Sequence, residues 1–271
     1  MGVDVADGAP SDLSEDQQEV LDQVLAGHNV FFTGSAGTGK TFLLKRMASE
    51  LRQCGLQVAV TASTGLAAMH IGGGTIHSFA GIGTGAGSRE QCLQMAARRE
   101  ARTKRGTKGG GVWKATDVLI IDEVSMLSAA LFDTLEHCAA VIRRPHADGR
   151  PTAPFGGLQV IACGDFLQLP PVSRGTSVDP STTQAQARGY AFQAEAWPRV
   201  FKVQRTLTTV RRQSDPAFIA LLNGLRTGRV DTAGEAALRA CCRPLRADDG
   251  ILATQLHTRN ANVDAINAER L

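Results

Sequence analysis

The octapeptide GSAGTGKT, Gly34 to Thr41, follows the apolar run NVFFT and precedes FLLKRMASEL, so strand, glycine-rich turn and helix come in direct succession. A G-x-x-x-x-G-K-[ST] stretch in that context is a P-loop, which narrows the fold to an open α/β sheet with a phosphate site at the carboxyl end of a strand. Its glycines let the backbone N–H groups of Gly34, Ser35, Ala36, Gly37, Thr38 and Gly39 turn inward around phosphates. Lys40 is spaced to reach the β and γ oxygens, and Thr41 to set its hydroxyl on Mg²⁺. A chance glycine-rich turn would not need both flanking elements. The chain has no N-K-x-D sequence to read guanine, so ATP with Mg²⁺ is the expected ligand.

Four short apolar runs recur: NVFFTG (29–34), QVAVTAS (57–63), DVLIIDE (117–123) and LQVIACGD (158–165). They read as strands buried on both faces, as in a parallel sheet. Helix-compatible segments lie between them, and this βαβα alternation predicts a doubly wound α/β domain. Ahead of the first strand, a capping box at Ser14 and Gln17 starts a helix with Val20, Leu21, Val24 and Leu25 on its core face, stopped by Gly27. VFKVQRTLTTV (200–210) is a further strand candidate and PAFIALLNGLRTG a helix, while ILATQL (251–256) and NVDAINAERL restart a strand–helix pattern within which the chain stops.

The LIIDE strand drives Asp122 and Glu123 to its carboxyl edge. Asp122 is expected to hold Mg²⁺ through water, and Glu123 to orient and deprotonate an attacking water. A solvated acidic pair is the alternative for these two alone, but it leaves their pairing with the P-loop unexplained. In GDFLQLPP, Gln168 sits in a turn stiffened by Pro170 and Pro171, where a neutral amide can contact the γ-phosphate and report its loss.

Composition restricts less. A formal net charge of +3 neither demands nor excludes a polyanionic partner. The six cysteines are scattered without C-x-x-C or zinc spacing, which reads as reduced thiols in an intracellular protein. The N-terminus lacks an apolar leader or an Arg-rich transit pattern, and no run approaches the ~18 apolar residues of a membrane span. One segment is strongly basic: Arg89, Arg98, Arg99, Arg102, Lys104, Arg105, Lys108 and Lys114 face only Glu90 and Glu100. It reads either as a solvated helix ending in a flexible GTKGGG loop or as a nucleic-acid phosphate contact.

Seven blocks stand in order: LSEDQ (13–17), FFTGSAGTGKTFLLKRM (31–47), TASTGLAAMHIGGGTIHSFAGIG (61–83), LIIDEVSML (119–127), PFGGLQVIACGDFLQLPPV (154–172), LTTVRRQSD (207–215) and ATQLHTRNANVDAIN (253–267). Together they resemble the Pif family of DNA helicases, superfamily-one type B enzymes related to RecD that move 5′-to-3′ on single-stranded DNA. The resemblance implies a RecA-like P-loop domain over 13–205 behind a flexible 1–12, then a linker and the incomplete start of a second RecA-like domain over 206–271. It implies that Gln17 reads the adenine edge and that Arg212 is an arginine finger, with the adjoining Arg211 the competing candidate. Ser63, Thr64, Gly65, His77, Ser78 and Phe79 lie where the family grips single-stranded DNA; a core Phe79 and a satisfied buried His77 are the plainer alternatives.

The reading that follows is an ATP-dependent 5′-to-3′ DNA helicase, or a truncated core of one, serving repair, recombination, replication or telomere maintenance. Its partners are single-stranded DNA and tailed or structured duplex, with no membrane. It is expected to be a monomer, nuclear in a eukaryote, with the mitochondrion the second choice. With the second domain incomplete, the chain by itself is expected to bind ATP·Mg²⁺ weakly, hydrolyse it poorly and leave duplex unwound. Two rivals stay open: a P-loop ATPase that remodels proteins, and a catalytically silent binding module.

Overall fold

The computed structural model describes residues 13–102, 112–143, 153–171, 189–243, 255–258 and 260–270. The expected flexible stretch 1–12, the basic residues Lys104, Arg105 and Lys108, and most of the strand expected at 251–256 lie outside the described residues.

The elements run α1 (Glu15–Leu25), β1 (Val30–Gly34), α2 (Lys40–Gln53), β2 (Val58–Ala62), α3 (Gly65–His70), β3 (Gly74–Thr75), α4 (Ile76–Ala80), α5 (Arg89–Arg102), α6 (Val112–Ala115), β4 (Val118–Asp122), α7 (Ala129–Arg143), β5 (Gln159–Cys163), α8 (Trp197–Val200), β6 (Val203–Leu207), α9 (Pro216–Arg226), α10 (Thr232–Ala240) and α11 (Asn260–Arg270). One six-stranded sheet has the order β3-β2-β4-β5-β1-β6, with every pairing parallel. All four strands read from the sequence form, and the fifth candidate becomes β6, the edge strand beside β1. The doubly wound parallel α/β fold is therefore present.

Side chains alternate across the sheet with the two-residue period of a strand. Phe31, Leu119, Ile121, Val160 and Ala162 face one layer with Trp113, Phe132, Phe155, Trp197 and Phe201. Val30, Phe32, Val118, Ile120, Ile161 and Cys163 face the other, packing on Val20, Leu21 and Val24 of α1 and Leu43, Leu44 and Met47 of α2. Helices thus cover both faces, which is why these strands read as unbroken apolar runs.

The start of α1 follows its box: the Gln17 carboxamide oxygen accepts the Ser14 N–H at 3.1 Å. Leu25 corrects the expected core face, because it is 43% exposed while Val20, Leu21 and Val24 are buried. It is the last residue of the helix.

The described residues fall into two compact units, the first ending at Gly228 and the second beginning at Arg229. The boundary expected at 205/206 does not coincide with this division: β6 pairs along its whole length with β1, and Arg226 binds Asp165. In the second unit the Asp231 carboxylate caps α10 by accepting from the Gly234 N–H at 2.7 Å. The expected terminal helix forms as α11. Among the described residues no helix is long and apolar enough to cross a membrane.

Candidate functional site

Every strand that carries a candidate residue delivers it at the same carboxyl edge of the sheet. β1 runs into the loop 35–39, and α2 begins at Lys40. Gly37 and Gly39 have φ of 86° and 80°, the left-handed region that glycine enters without cost. A Cβ on Gly37 would lie 2.5 Å from Gln213 Oε1, and one on Gly39 would lie 2.7 Å from Gln17 Nε2, so the loop is walled on both sides. The Thr38 hydroxyl donates to the Ser35 carbonyl at 2.9 Å. Lys40 Nζ donates to the carbonyls of Gly34 at 2.8 Å and Ser35 at 3.2 Å, holding the ammonium across the cradle. Thr41 is exposed in the first turn of α2.

Gln17 is completely buried, and its Nε2 donates to the Thr38 carbonyl at 3.1 Å. Both ends of its carboxamide are therefore bonded within the protein, and the residue joins α1 to the phosphate loop. Reading an adenine edge would draw on its remaining N–H and lone pair.

At the end of β4, Asp122 is buried, and its Oδ1 accepts from the Glu123 N–H at 2.8 Å and from the Cys163 thiol at 2.9 Å. Oδ2 has no hydrogen bond among the described residues, which leaves it to face a cation. Burial, and the Asp122 carboxylate beside it, push the Cys163 thiol far above its usual range. Glu123 has φ 52° and ψ 43°, a left-handed conformation that costs a non-glycine residue about 1–2 kcal/mol. Its carboxyl is raised by burial and then by the charges of Asp122 and Asp165, with Lys40 opposing. A partly shielded carboxylate with a raised proton affinity is what a base acting on water needs.

After β5, the turn that carries Gln168 is organised by Asp165 rather than by the prolines that follow. Asp165 is 1% exposed; its carboxylate accepts from the Leu167 N–H at 3.1 Å and from Gln168 Nε2 at 3.1 Å, and its carbonyl accepts from the Gln168 N–H at 2.8 Å. The same carboxylate is gripped from α9 by Arg226, with Nε on Oδ2 at 2.7 Å and Nη2 on Oδ1 at 2.8 Å. Burial works to raise Asp165, but Arg226 and the turn's donors outweigh it and hold the carboxyl below its usual range.

The arm that follows β6 lies against the phosphate loop. Asp16 Oδ2 accepts from the N–H groups of Thr208 at 2.7 Å and Thr209 at 3.3 Å, and the Gly37 carbonyl accepts from those of Arg211 at 2.8 Å and Arg212 at 3.2 Å. Both guanidiniums leave the same anchored stretch, and both residues are exposed. Gln168, Ala36, Gln213 and Arg226 line one cavity of about 250 Å³, which brings the turn, the loop and the arm together.

The expected DNA residues divide. Ser63 and Thr64 follow β2 at the same edge; Ser63 Oγ is buried without a partner, while the Thr64 hydroxyl caps α3 by accepting from the Ala67 N–H at 3.3 Å. Gly65 is exposed as the first residue of α3. The Ser78 carbonyl accepts from Arg99 of α5, and His77 is half-buried near Gly85. Phe79 packs edge-on against Trp113 with ring centroids 4.8 Å apart, at the margin of the core. Phe79 is thus partly buried in contact with the core, as the core alternative expects. Among the described residues no cluster of three or more His, Cys, Asp or Glu could hold a metal.

Sequence reasoning missed Asp16, Cys163, Asp165 and Arg226 as parts of this site. Asp165 stood in the quoted GDFLQLPP, two residues from a strand end, and a carboxylate there was a usable signal. Arg226 gave none, since its partner lies sixty-one positions away.

The profile described as "PIF1-like helicase" matches residues 12–236. The chain is 45% identical over 259 residues to "ATP-dependent DNA helicase PIF1" of Danio rerio, covering 96% of this chain and 37% of that protein. It is 44% identical to the Homo sapiens protein of the same name, covering 96% and 36%. Its structure is similar to the crystal structure of Pif1 helicase from Candida albicans, with TM-score 0.81, 40% identity, 96% of this chain and 54% of that one. It is also similar to Pif1 helicase from Bacteroides in complex with ADP-AlF3 and ssDNA, with TM-score 0.75, 29% identity, 97% and 57%. The chain thus spans little more than a third of the curated relatives and a little over half of the solved chains.

Proposed function

Because the chain belongs to the PIF1-like helicase family, we propose that it is the nucleotide-binding part of an ATP-dependent DNA helicase that moves 5′-to-3′ on single-stranded DNA. The observation that carries the proposal is the convergence at one sheet edge of the phosphate loop, the Asp122–Glu123 pair, the Gln168 turn and the Arg211–Arg212 arm. Binding alone would need only the first. The loop's N–H groups and Lys40 would hold the phosphates, Thr41 and Asp122 would hold Mg²⁺, and Glu123 would accept the proton of the attacking water. Bound Mg²⁺ would supply charge neutralisation at the β and γ oxygens. Gln168 and Arg212 would meet the γ-phosphate, so its loss would be felt in the turn and in the arm. The second RecA-like domain that such an engine closes against is proposed to begin beyond this arm.

The test is steady-state ATP hydrolysis, with and without single-stranded DNA, by a protein that joins this chain to a complete second RecA-like domain. Stimulation by DNA is expected, and a rate indifferent to DNA would favour a protein-remodelling ATPase. Lys40→Ala is expected to lower turnover by at least ~10²-fold, because it removes a fixed positive charge from the transferring phosphoryl group. Unchanged turnover in that variant would remove the site assignment.

DNA affinity is expected to fall with salt, with a slope of log affinity near −0.7 per phosphate contact on single strands. Replacing Ser63 and Thr64 together by Ala is expected to weaken binding at every salt concentration while leaving the slope unchanged, since neither hydroxyl carries charge. Fluorescence anisotropy of a labelled oligonucleotide across a salt series measures both, and an unaltered affinity would place the hydroxyl contacts elsewhere.

A further inference from the structure

Asp165 is a carboxylate buried in the protein, and a buried charge persists only where it is paired and its lone pairs are filled. Its acceptor sites are taken by the Leu167 N–H, by Gln168 Nε2 and by the two-pronged guanidinium of Arg226. These three partner residues belong to two different functional pieces. Leu167 and Gln168 form the turn that faces the phosphate loop across the cavity, while Arg226 ends α9, the helix that follows the Arg211–Arg212 arm. Asp215, at the other end of α9, caps it by accepting from the Ala217 N–H at 2.9 Å and the Phe218 N–H at 3.3 Å. The helix is therefore a rigid bar with its start beside the arm and its end on the turn.

We propose that Arg226 is a positioning residue for nucleotide hydrolysis, acting through Asp165 to aim the Gln168 amide and to lock the phosphate-facing turn to the helix behind the arginine arm. The inference rests on the ATPase reading above and assigns a role within that same site. The physical case is the fork geometry: two parallel N–H···O bonds fix both the direction and the rotation of a carboxylate, which one point charge does not. A carboxylate fixed in rotation fixes in turn the amide it accepts from. Without the guanidinium, Asp165 must take up a proton or swing toward water, and either change frees Gln168 from its aim. Arg226 also offsets a negative charge that bears on Glu123. A bridge that served stability alone would have no reason to share its carboxylate with the side chain of the phosphate-facing residue.

The experiment is single-turnover hydrolysis by a protein that joins this chain to a complete second RecA-like domain, held in excess over ATP in the presence of Mg²⁺ and single-stranded DNA, alongside equilibrium ATP binding. Arg226→Gln is expected to slow the hydrolytic step by about tenfold or more, since small misplacements of a reacting constellation are costly. ATP affinity should stay within about threefold, the pattern of an interaction made in the transition state rather than in binding. Arg226→Lys should recover part of the rate, as a charge without a fork. In a Gln168→Ala background, Arg226→Gln should add less than about twofold, because the two act as one unit.

Full additivity with Gln168→Ala, affinity and rate falling together, or an unslowed Arg226→Gln would each overturn the proposal alone. If Arg226→Gln does not fold, Arg226→Lys carries the test: a reduced rate at unchanged affinity is expected, and a wild-type rate overturns it. A wild-type two-domain protein that binds ATP but hydrolyses none under these conditions would overturn the ATPase reading and this proposal with it.

Discussion

Glu123→Gln is expected to slow ATP hydrolysis by on the order of 10³-fold while ATP·Mg²⁺ still binds, because the amide keeps the size of the side chain and loses its capacity to take a proton. Three features of the site argue for so selective an effect. The carboxyl is raised by burial and by its acidic neighbours Asp122 and Asp165, which brings its proton affinity toward the range in which a base works well. The Asp122 carboxylate is engaged by the Glu123 backbone N–H rather than by its side chain, so the substitution leaves the carboxylate proposed to hold Mg²⁺ in place. The left-handed backbone at Glu123 is tolerated equally by glutamate and glutamine, so the fold should not discriminate between them. Chemical-quench kinetics together with equilibrium binding measure the two properties separately. Loss of binding instead of turnover would make Glu123 a metal ligand or a structural residue.

Arg212→Ala is the second large effect, expected to cost about 10³-fold or more in turnover, the scale on which a guanidinium delivered to a γ-phosphate operates in related P-loop enzymes. Its backbone is already tied to the phosphate loop through the Gly37 carbonyl, while its side chain stands in solvent, so alanine removes the charge without opening the anchor. Arg211→Ala is the matched comparison, since Arg211 shares that anchor. A larger loss for Arg211→Ala than for Arg212→Ala would exchange their roles, and equal small losses would move the finger elsewhere in the protein.

The sheet was legible in the sequence because each central strand is buried on both faces and so reads as a continuous apolar run. The loop was legible because its glycines, lysine and threonine are demanded by phosphate geometry at fixed spacing. What escaped was set by contacts at a distance. Leu25 has the spacing of a core residue, yet it ends the helix and is left exposed while its neighbour Val24 is buried. Phe79 has the look of a stacking ring, and only the fold shows Trp113 beside it. The Gln168 turn seemed a matter of prolines, whereas an aspartate and an arginine from another helix hold it. No local pattern announces such a partner, because the pairing exists only once the turn after β5 meets the end of α9.

The order of the strands also has a consequence for how the chain comes together in time. The strand that delivers the phosphate loop is synthesised before every other strand of its sheet, yet its two neighbours are β5 and β6: Val30 pairs with Ile161 on one side and with Val203 on the other. Strands β2 and β4 have no such wait, since Val58 pairs with Val118. On a growing chain the apolar VFF of β1 must therefore stay unpaired until β5 has emerged, and keeps a bare edge until β6 follows. Pairings between such distant segments are the slow part of folding, and an open hydrophobic edge is where association between chains begins. The nucleotide pocket is in this sense assembled from the earliest and the latest pieces of its unit, so a pause in synthesis between β5 and β6 would leave a nearly finished sheet with its most functional strand exposed.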